Sequence, residues 1–474
     1  MPVSSQYRPS TAHASLGDAF YDRVEAARFP AEILRYRNQR WVARIGLGTL
    51  TDAEWLDHFA RFAPLPDSFP EPLALRYHGH QFRAYNPDLG DGRGFLFAQL
   101  YDDAGRLLDL ATKGSGRTPW SRGGDGRLTL KGGVREVLAT EMLEALLVDT
   151  SKSLSLVETG EALQRGDEPS PTRSAVLVRL SHSHIRIGSF QRLAYLGDTE
   201  GIGRLLDYTI ETYRPELWRE QAADRAVAFL GDVVERVAGL GAQWMSAGFV
   251  HGVLNTDNIN VTGESFDYGP WRFLPTCDFA FTAAYFDHQG LYAYGRQPDT
   301  LLWNLIRLAE CLLPLAPQEA LEAALGRFVP MFHVQQSAAL LSRLGLRSNG
   351  LDSDSELSRA WWAWLQESQS PFEQAFFDWF GGPAAAARAT AGPNTALYQL
   401  PAFAPVRMQL DRYAPAEGAR LDHLYWQRPR PATLLVPDVE GLWDPVAADD
   451  DWSLFHAKLA EIGDAREALT QTTR

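Results

Sequence analysis

Apolar positions recur along this chain with two periods, and the change from one to the other organises it. Short apolar runs at residues 95–101, 107–111, 153–158 and 175–180 read as β-strands. Between the second and third lies a glycine-rich stretch, 113–133. It leads into a helical pattern over 134–147, with Val134, Leu138, Met142 and Leu146 on one face. Ahead of these strands, 31–40 and 52–62 carry helical patterning, and Pro64, Pro66, Pro70 and Pro72 predict a stiff connector. Beyond about residue 200 the period is mostly helical, with candidate helices at 224–246, 299–313, 318–328 and 356–366. Polar loops separate them, notably 251–269. Segments 383–387 and 401–437 predict irregular structure, and the acidic run Asp449, Asp450, Asp451 a solvated loop. Trp361, Trp362 and Trp364 fit helix packing better than a ligand stack. The pattern is that of an α+β protein, strand-rich first and helical afterwards.

Length and composition narrow the function. A chain of 474 residues can bury a large core without disulfide or metal staples. The formal charge of −14 argues against nucleic-acid binding as the main activity, since that needs a basic surface to displace counterions. The two cysteines, Cys277 and Cys311, lie in no CxxC or Cys/His ligand spacing, so a zinc site and a disulfide framework are not expected. The N-terminus shows no signal-type apolar stretch and no run is long enough to span a membrane, so the expected location is cytoplasmic. Arginine supplies almost all positive charge. Lysine stands only at Lys113, Lys131, Lys152 and Lys458, which draws attention to the one that opens the glycine-rich stretch.

Candidate chemistry gathers in a few short segments. Gly90-Asp91-Gly92-Arg93-Gly94 precedes a strand, where glycines permit close backbone approach to phosphates and an arginine can fork onto their oxygens; a tight turn explains it equally well. Lys113 ends a strand, as the phosphate-pairing lysine of kinases does, and Glu136 on the next helix could hold it; the GxxxxGK[ST] spacing is absent. His251-Gly252-Val253-Leu254-Asn255-Thr256-Asp257-Asn258 keeps the histidine-to-asparagine frame of a kinase catalytic loop. Val253 stands where the kinase aspartate belongs, and Asp257 directly precedes Asn258. Phe266-Asp267-Tyr268-Gly269 mimics the metal-binding Asp-aromatic-Gly order, with Asp278 as a competitor, and oxygen donors of this kind suit Mg²⁺. Arg179 and Arg186 flank Ser181-His182-Ser183-His184 and could clamp a triphosphate. The histidine pair alone reads as structural. His288 reads as the anchor of the loop that follows.

Together these segments resemble the selenoprotein O (SelO, YdiU) family of protein adenylyltransferases. The resemblance rests on Gly79-His80-Gln81-Phe82, Leu89 to Arg93, Lys113 to Gly116, Ser121-Arg122-Gly123-Gly124-Asp125-Gly126-Arg127 and Arg135-Glu136. It continues through the 251–258 loop, Phe266 to Pro270, Asp287 to Gly290, Gln297-Pro298 and Leu302-Trp303-Asn304-Leu305. After Phe82 stands Arg83, where the family usually has glycine, and the C-terminal third shows little of the pattern.

The resemblance implies a protein-kinase-like bilobal fold that transfers AMP from ATP to Ser, Thr or Tyr hydroxyls of proteins, possible self-modification included. It implies a single SelO-like domain over 1–474, made of an N-terminal extension (1–72), a nucleotide-binding N-lobe (73–200), a helical C-lobe with the catalytic loop (201–382) and a divergent C-terminal region (383–474). Carried over, Asp257 is the catalytic base, and Asn258 and Asp267 hold Mg²⁺ or Mn²⁺. Lys113, positioned by Glu136, contacts phosphate. Gly90, Gly92, Arg93, Asp125, Gly126, Arg179, Arg186 and Asp267 complete the nucleotide site. The expected partners are ATP and acceptor proteins, not nucleic acid or membrane. A kinase-like phosphotransferase, a non-catalytic nucleotide-binding regulator and UMP transfer with Mn²⁺ stand as alternatives.

Overall fold

A computed structural model describes residues 4–166 and 168–470. The outermost residues of both expected extensions, 1–3 with the start of the N-terminal segment and 471–474, lie outside the described residues. The architecture is α+β. Its centre is an antiparallel sheet in the order Tyr21–Arg23, Leu73–Leu75, Leu96–Tyr101, Leu107–Lys113, Thr172–Ser181, Lys152–Leu163, Ile33–Arg37. Pro9–Ser10 adds to Leu96–Tyr101, and Leu128–Thr129 to Thr172–Ser181. The segment before residue 73 therefore supplies both ends of the ordered path.

Alternation along the strands fills two cores. On Thr172–Ser181, Ala175 and Leu177 face the larger core, while Val176, Val178 and Leu180 face the other. The second core is closed by Trp41, Val42, Trp55 and Phe59 from the helices Gln39–Arg44 and Asp52–Phe59. A capping box between Thr51 and Glu54 starts the latter helix.

On the larger core lies the helix Leu130–Ala145. It begins four residues earlier than its apolar stripe implies, because Thr129 caps it by accepting the Gly132 N–H at 3.1 Å. Its two early glycines lower helix propensity, but Gly133 packs against Leu156 where a side chain would collide. From the C-terminal part, Ser453–Leu469 packs on this helix. Arg466 pairs with buried Glu141 at 2.6 Å, and Lys131 with Glu440 at 2.6 Å.

The remaining helices pack around Ala222–Ser246, which touches Gln297–Leu312, Gln318–Leu325 and Phe328–Arg343. Trp361, Trp362 and Trp364 are buried in Leu351–Ser368, as helix packing requires.

Several expectations are corrected. Residues 31–40 are not one helix: Ile33–Arg37 is a strand paired with Lys152–Leu163, and only then does Gln39–Arg44 coil. Backbone pairing to a neighbouring strand overrides the short helical pattern. The helix expected at 318–328 ends at Leu325, and a further helix, Phe328–Arg343, follows. The segment 401–437 contains the helix Ala404–Leu410, and Ala386–Ala391 is helical too. The acidic run is not merely a solvated loop: Asp450 accepts from Arg173 at 2.6 Å and Arg35 at 2.9 Å, tying a C-terminal helix end to the sheet.

Candidate active site

Two adjacent strands aim cations to one place. Lys113 pairs in register with Leu177, and Ala111 with Arg179. Residues opposite each other, and those two apart on one strand, share a face. Lys113 and Arg179 are thus diagonal neighbours on the face that meets the helix Leu130–Ala145. Burial isolates the Lys113 ammonium, and carboxylates surround it. It is hydrogen-bonded to Glu136 Oε1, and it donates to Asp267 Oδ1 at 2.7 Å. Arg179 Nη1 donates to the same Asp267 oxygen at 3.2 Å. Burial alone would raise the Asp267 carboxyl; Lys113 and Arg179 instead hold it well below the usual carboxylate range.

Asp267 itself has φ of 64°, a left-handed backbone that aspartate tolerates better than most residues. Its neighbours fix that geometry. His251 Nε2 donates to the Phe266 carbonyl at 3.0 Å, and the Tyr268 hydroxyl reaches Ser265 Oγ at 2.8 Å. His251 thus joins the 251–258 loop to the Asp267 segment.

The loop is held from below by the helix Gln297–Leu312. Gln297 donates to the Phe249 carbonyl and accepts from the His251 N–H, while Asn304 donates to the Leu254 carbonyl. A single 3₁₀ turn, Thr256–Asn258, then presents Asp257 and Asn258. The Asn258 amide nitrogen donates to the Val253 carbonyl at 3.0 Å, which leaves the amide oxygen as the atom a cation could use. Asp257 is buried and its Oδ1 has no hydrogen-bond partner in the structure. Burial pushes its carboxyl up to about 7, against the pull of Arg186. A methyl group on Gly79 would lie 3.0 Å from this oxygen, so the glycine keeps the carboxylate clear of the adjoining hairpin.

Arg186 lies at the end of the Ser181–His184 segment, fully buried, with its guanidinium 4.0 Å from the Tyr77 ring centre. Burial opposes its charge, but Tyr77, Asp91 and Asp267 more than offset that. Its Nη2 and the Nε of Arg179 are buried without a hydrogen-bond partner. An unpaired buried donor is costly, so such atoms mark a place where an anionic ligand would complete the bonding.

These groups line one cavity of about 660 Å³. Gly90, Gly92, Arg93, Lys113, Asp125, Gly126, Arg179, Arg186, Asp257, Asn258 and Asp267 all border it, and Glu136 stands behind Lys113. Gly90 is explained by packing as well: a Cβ there would run into the Trp120 indole. Asp125 reaches the rim with its carboxylate already engaged by Arg165, at 2.8 and 3.1 Å. Asp278 does not border the cavity. The paired histidines are structural: the His184 N–H donates to buried Asp109 at 2.8 Å, and the His182 N–H to Glu264 at 2.8 Å. The loop anchor expected at His288 is Asp287, whose carboxylate accepts the Leu291 and Tyr292 N–H groups, while His288 is exposed.

Sequence reasoning missed Arg165 on the cavity wall, quoted Arg122 and Arg127 in the Ser121–Arg127 motif without giving them a role, and did not foresee the supporting roles of Gln297 and Asn304. Arg165 sits in a strand-connecting loop with no motif around it, so nothing local marks it.

With the geometry in place, known sequences decide the family. The family described as protein adenylyltransferase SelO matches residues 3–462. The chain belongs to the SelO family. It is 43% identical over 477 residues to a protein nucleotidyltransferase YdiU of Trichormus variabilis, covering 97% of this chain and 96% of that one. The YdiU protein of Synechocystis sp. is 44% identical, covering 95% and 96%, and that of Vibrio cholerae 38%, covering 78% and 74%. The SelO match runs on through most of the C-terminal region, to residue 462. Membership makes the chain an enzyme of the protein nucleotidyltransferase family. Among the described residues, no helix is long and apolar enough to cross a membrane.

Proposed function

We propose that the cavity binds ATP and that the protein transfers AMP from it to Ser, Thr or Tyr hydroxyls of acceptor proteins. The observation that carries this reading is the convergence of Lys113, Arg179 and Arg186, with unpaired buried donors, upon a cavity that also holds the isolated Asp257 carboxylate. Seven cationic side chains against four carboxylates line it, in a chain of net charge −14. That local excess suits a polyphosphate.

The roles follow from position. Lys113, Arg179 and Arg186 neutralise the β- and γ-phosphates, with Glu136 holding Lys113 in place. Gly90, Gly92 and Gly126 allow close approach of the backbone, with Arg93 beside them and Asp125 at the rim through its Arg165 pair. The acceptor hydroxyl attacks the α-phosphorus. A new O–P bond forms as the bond to the bridging α–β oxygen breaks, pyrophosphate departs, and the hydroxyl proton passes to Asp257. Cations already arranged around the leaving group need no reorganisation, which is where such sites gain most. The Asn258 amide oxygen and the Asp267 carboxylate form an oxygen donor set suited to Mg²⁺ or Mn²⁺, which when bound would offset phosphate charge.

We further propose a kinase-like bilobal division, with residues 73–200 as the nucleotide-binding lobe and 201–382 as the helical lobe. Its two cysteines are free thiols, which suits a reducing, cytoplasmic setting.

Product analysis tests the transfer. With ATP and either metal, pyrophosphate is expected, with AMP bound to protein. Asp257→Ala is expected to lower the rate about 10²–10⁴-fold, the usual worth of a general base, while ATP still binds. Release of orthophosphate with phosphate on the acceptor would contradict AMP transfer, and an unimpaired Asp257→Ala enzyme would contradict the base.

A further inference from the structure

The hairpin Gly79–Gln81 / Ala84–Asn86 turns through Phe82 and Arg83, which have φ of 48° and 64°. Two-residue hairpin turns with both central residues at positive φ are normally filled by Asn-Gly or Asp-Gly. Phe and Arg both carry strain there, since a Cβ crowds the following carbonyl in this region. Backbone strain kept at an exposed tip invites a functional explanation. The tip is exposed and sits on the active site. The Phe82 N–H donates to Asn255 Oδ1 of the catalytic loop and to the Tyr292 hydroxyl, both at 3.1 Å. The His80 N–H donates to Thr256 Oγ1 at 2.7 Å, and Gln81 lines the nucleotide cavity.

The side chains presented are of one kind. Phe82 is 37% exposed, Phe286 43% and Tyr285 79%. Their rings form a continuous cluster, with centres 5.8 Å apart for Phe82 and Phe286 and 5.1 Å for Phe286 and Tyr285. Arg83 is exposed, lies 5.6 Å from the Trp303 ring centre and makes no ion pair among the described residues. An exposed aromatic cluster with an unpaired cation, beside a catalytic cavity, is a recognition surface more than a solubilising one.

We infer that Phe82, Arg83, Tyr285 and Phe286 form the docking surface for the acceptor polypeptide, and that it selects an apolar or aromatic residue and an acidic residue near the target hydroxyl. This rests on the AMP-transfer reading above. Gly79 abuts Asp257 and Phe82 follows three residues on, so the tip lies about 10 Å along the strand from the base. An extended acceptor spans that distance in about three residues. The selected side chains therefore stand about three positions from the hydroxyl.

A positional library of synthetic Ser, Thr and Tyr peptides, assayed for AMP incorporation from ATP, tests the inference. The wild-type enzyme is expected to prefer peptides with Phe or Leu and Asp about three residues from the hydroxyl by about tenfold or more in kcat/KM. Arg83→Glu should move the charge preference from Asp to Lys. Phe286→Ala should raise KM for the preferred peptide and leave ATP affinity unchanged. Arg83→Gly relieves the turn, so it should fold at least as stably as the wild type and still lose the preference for Asp. Incorporation with no flanking preference, or variants that keep the wild-type preference, would overturn the docking surface and leave AMP transfer standing. No AMP on any peptide or protein would overturn both.

Discussion

At the residue scale the site depends on a few charges held against burial. Lys113 is the clearest case, because it bonds Glu136 and Asp267 at once, so the protein alone holds the ammonium in place. Lys113→Ala is predicted to reduce turnover by about 10²-fold or more, the cost of deleting one preorganised stabilising group. Steady-state kinetics at saturating ATP checks this, and near-normal kcat would remove Lys113 from the chemistry. Lys113, Glu136, Asp257 and Asp267 were legible because each stands in a short ordered motif. Arg165 was not, because nothing in its local sequence separates it from the other arginines in this arginine-rich chain; only chain folding brings it to the cavity wall.

At the element scale, the helix Leu130–Ala145 carries Glu136 on its sheet side and is gripped elsewhere by the C-terminal part. Arg466 meets Glu141, which also accepts from Asn38 at 2.7 Å and Tyr36 at 3.0 Å. Removing one partner from a largely buried pair leaves a charge uncompensated. Arg466→Ala should therefore destabilise the fold by about 1–3 kcal/mol, discounted from the fully buried case because the arginine remains partly exposed. Chemical denaturation measures it, and an unchanged midpoint would deny the grip.

Glu264 offers a pH test of the segment between the catalytic loop and Asp267. Burial, with Asp149 adding to it, pushes its carboxyl from 4.5 to about 8. Through that window the folded protein keeps a proton that the unfolded chain has released, so stability falls as pH rises. Glu264→Gln keeps an acceptor for the His182 N–H without that cost. Its melting temperature should exceed the wild type's by a margin that grows from about pH 5 to about pH 8; a constant or shrinking margin would contradict the burial argument. Strong periodicity made the four sheet strands and the long helix at 224–246 readable. The strand Ile33–Arg37 was hidden because its identity depends on a partner more than a hundred residues away.

Over the whole molecule, the balance of charge sets the cavity apart. A protein of net charge −14 concentrates seven cationic side chains around one cavity, the place proposed for ATP. ATP affinity is predicted to weaken several-fold as salt rises from about 0.05 to about 0.5 M, because part of the attraction comes from the open mouth and is screened. Isothermal titration measures it, and salt-independent affinity would place the binding elsewhere. The composition indicated an acidic chain, and the motifs a phosphate site within it. How the C-terminal third joins the fold was not visible, since it does so through core side chains such as Phe455 and Ile462 and through ion pairs such as Arg466 with Glu141, none of them marked by a local signature.

The measurement that bears most directly on the account is the intact mass of an acceptor protein, and of the enzyme itself, after incubation with ATP and Mg²⁺ or Mn²⁺. The account predicts a mass increment of one AMP, absent when Asp257→Ala replaces the wild type. An increment of one phosphate, or an AMP increment undiminished in Asp257→Ala, would contradict it.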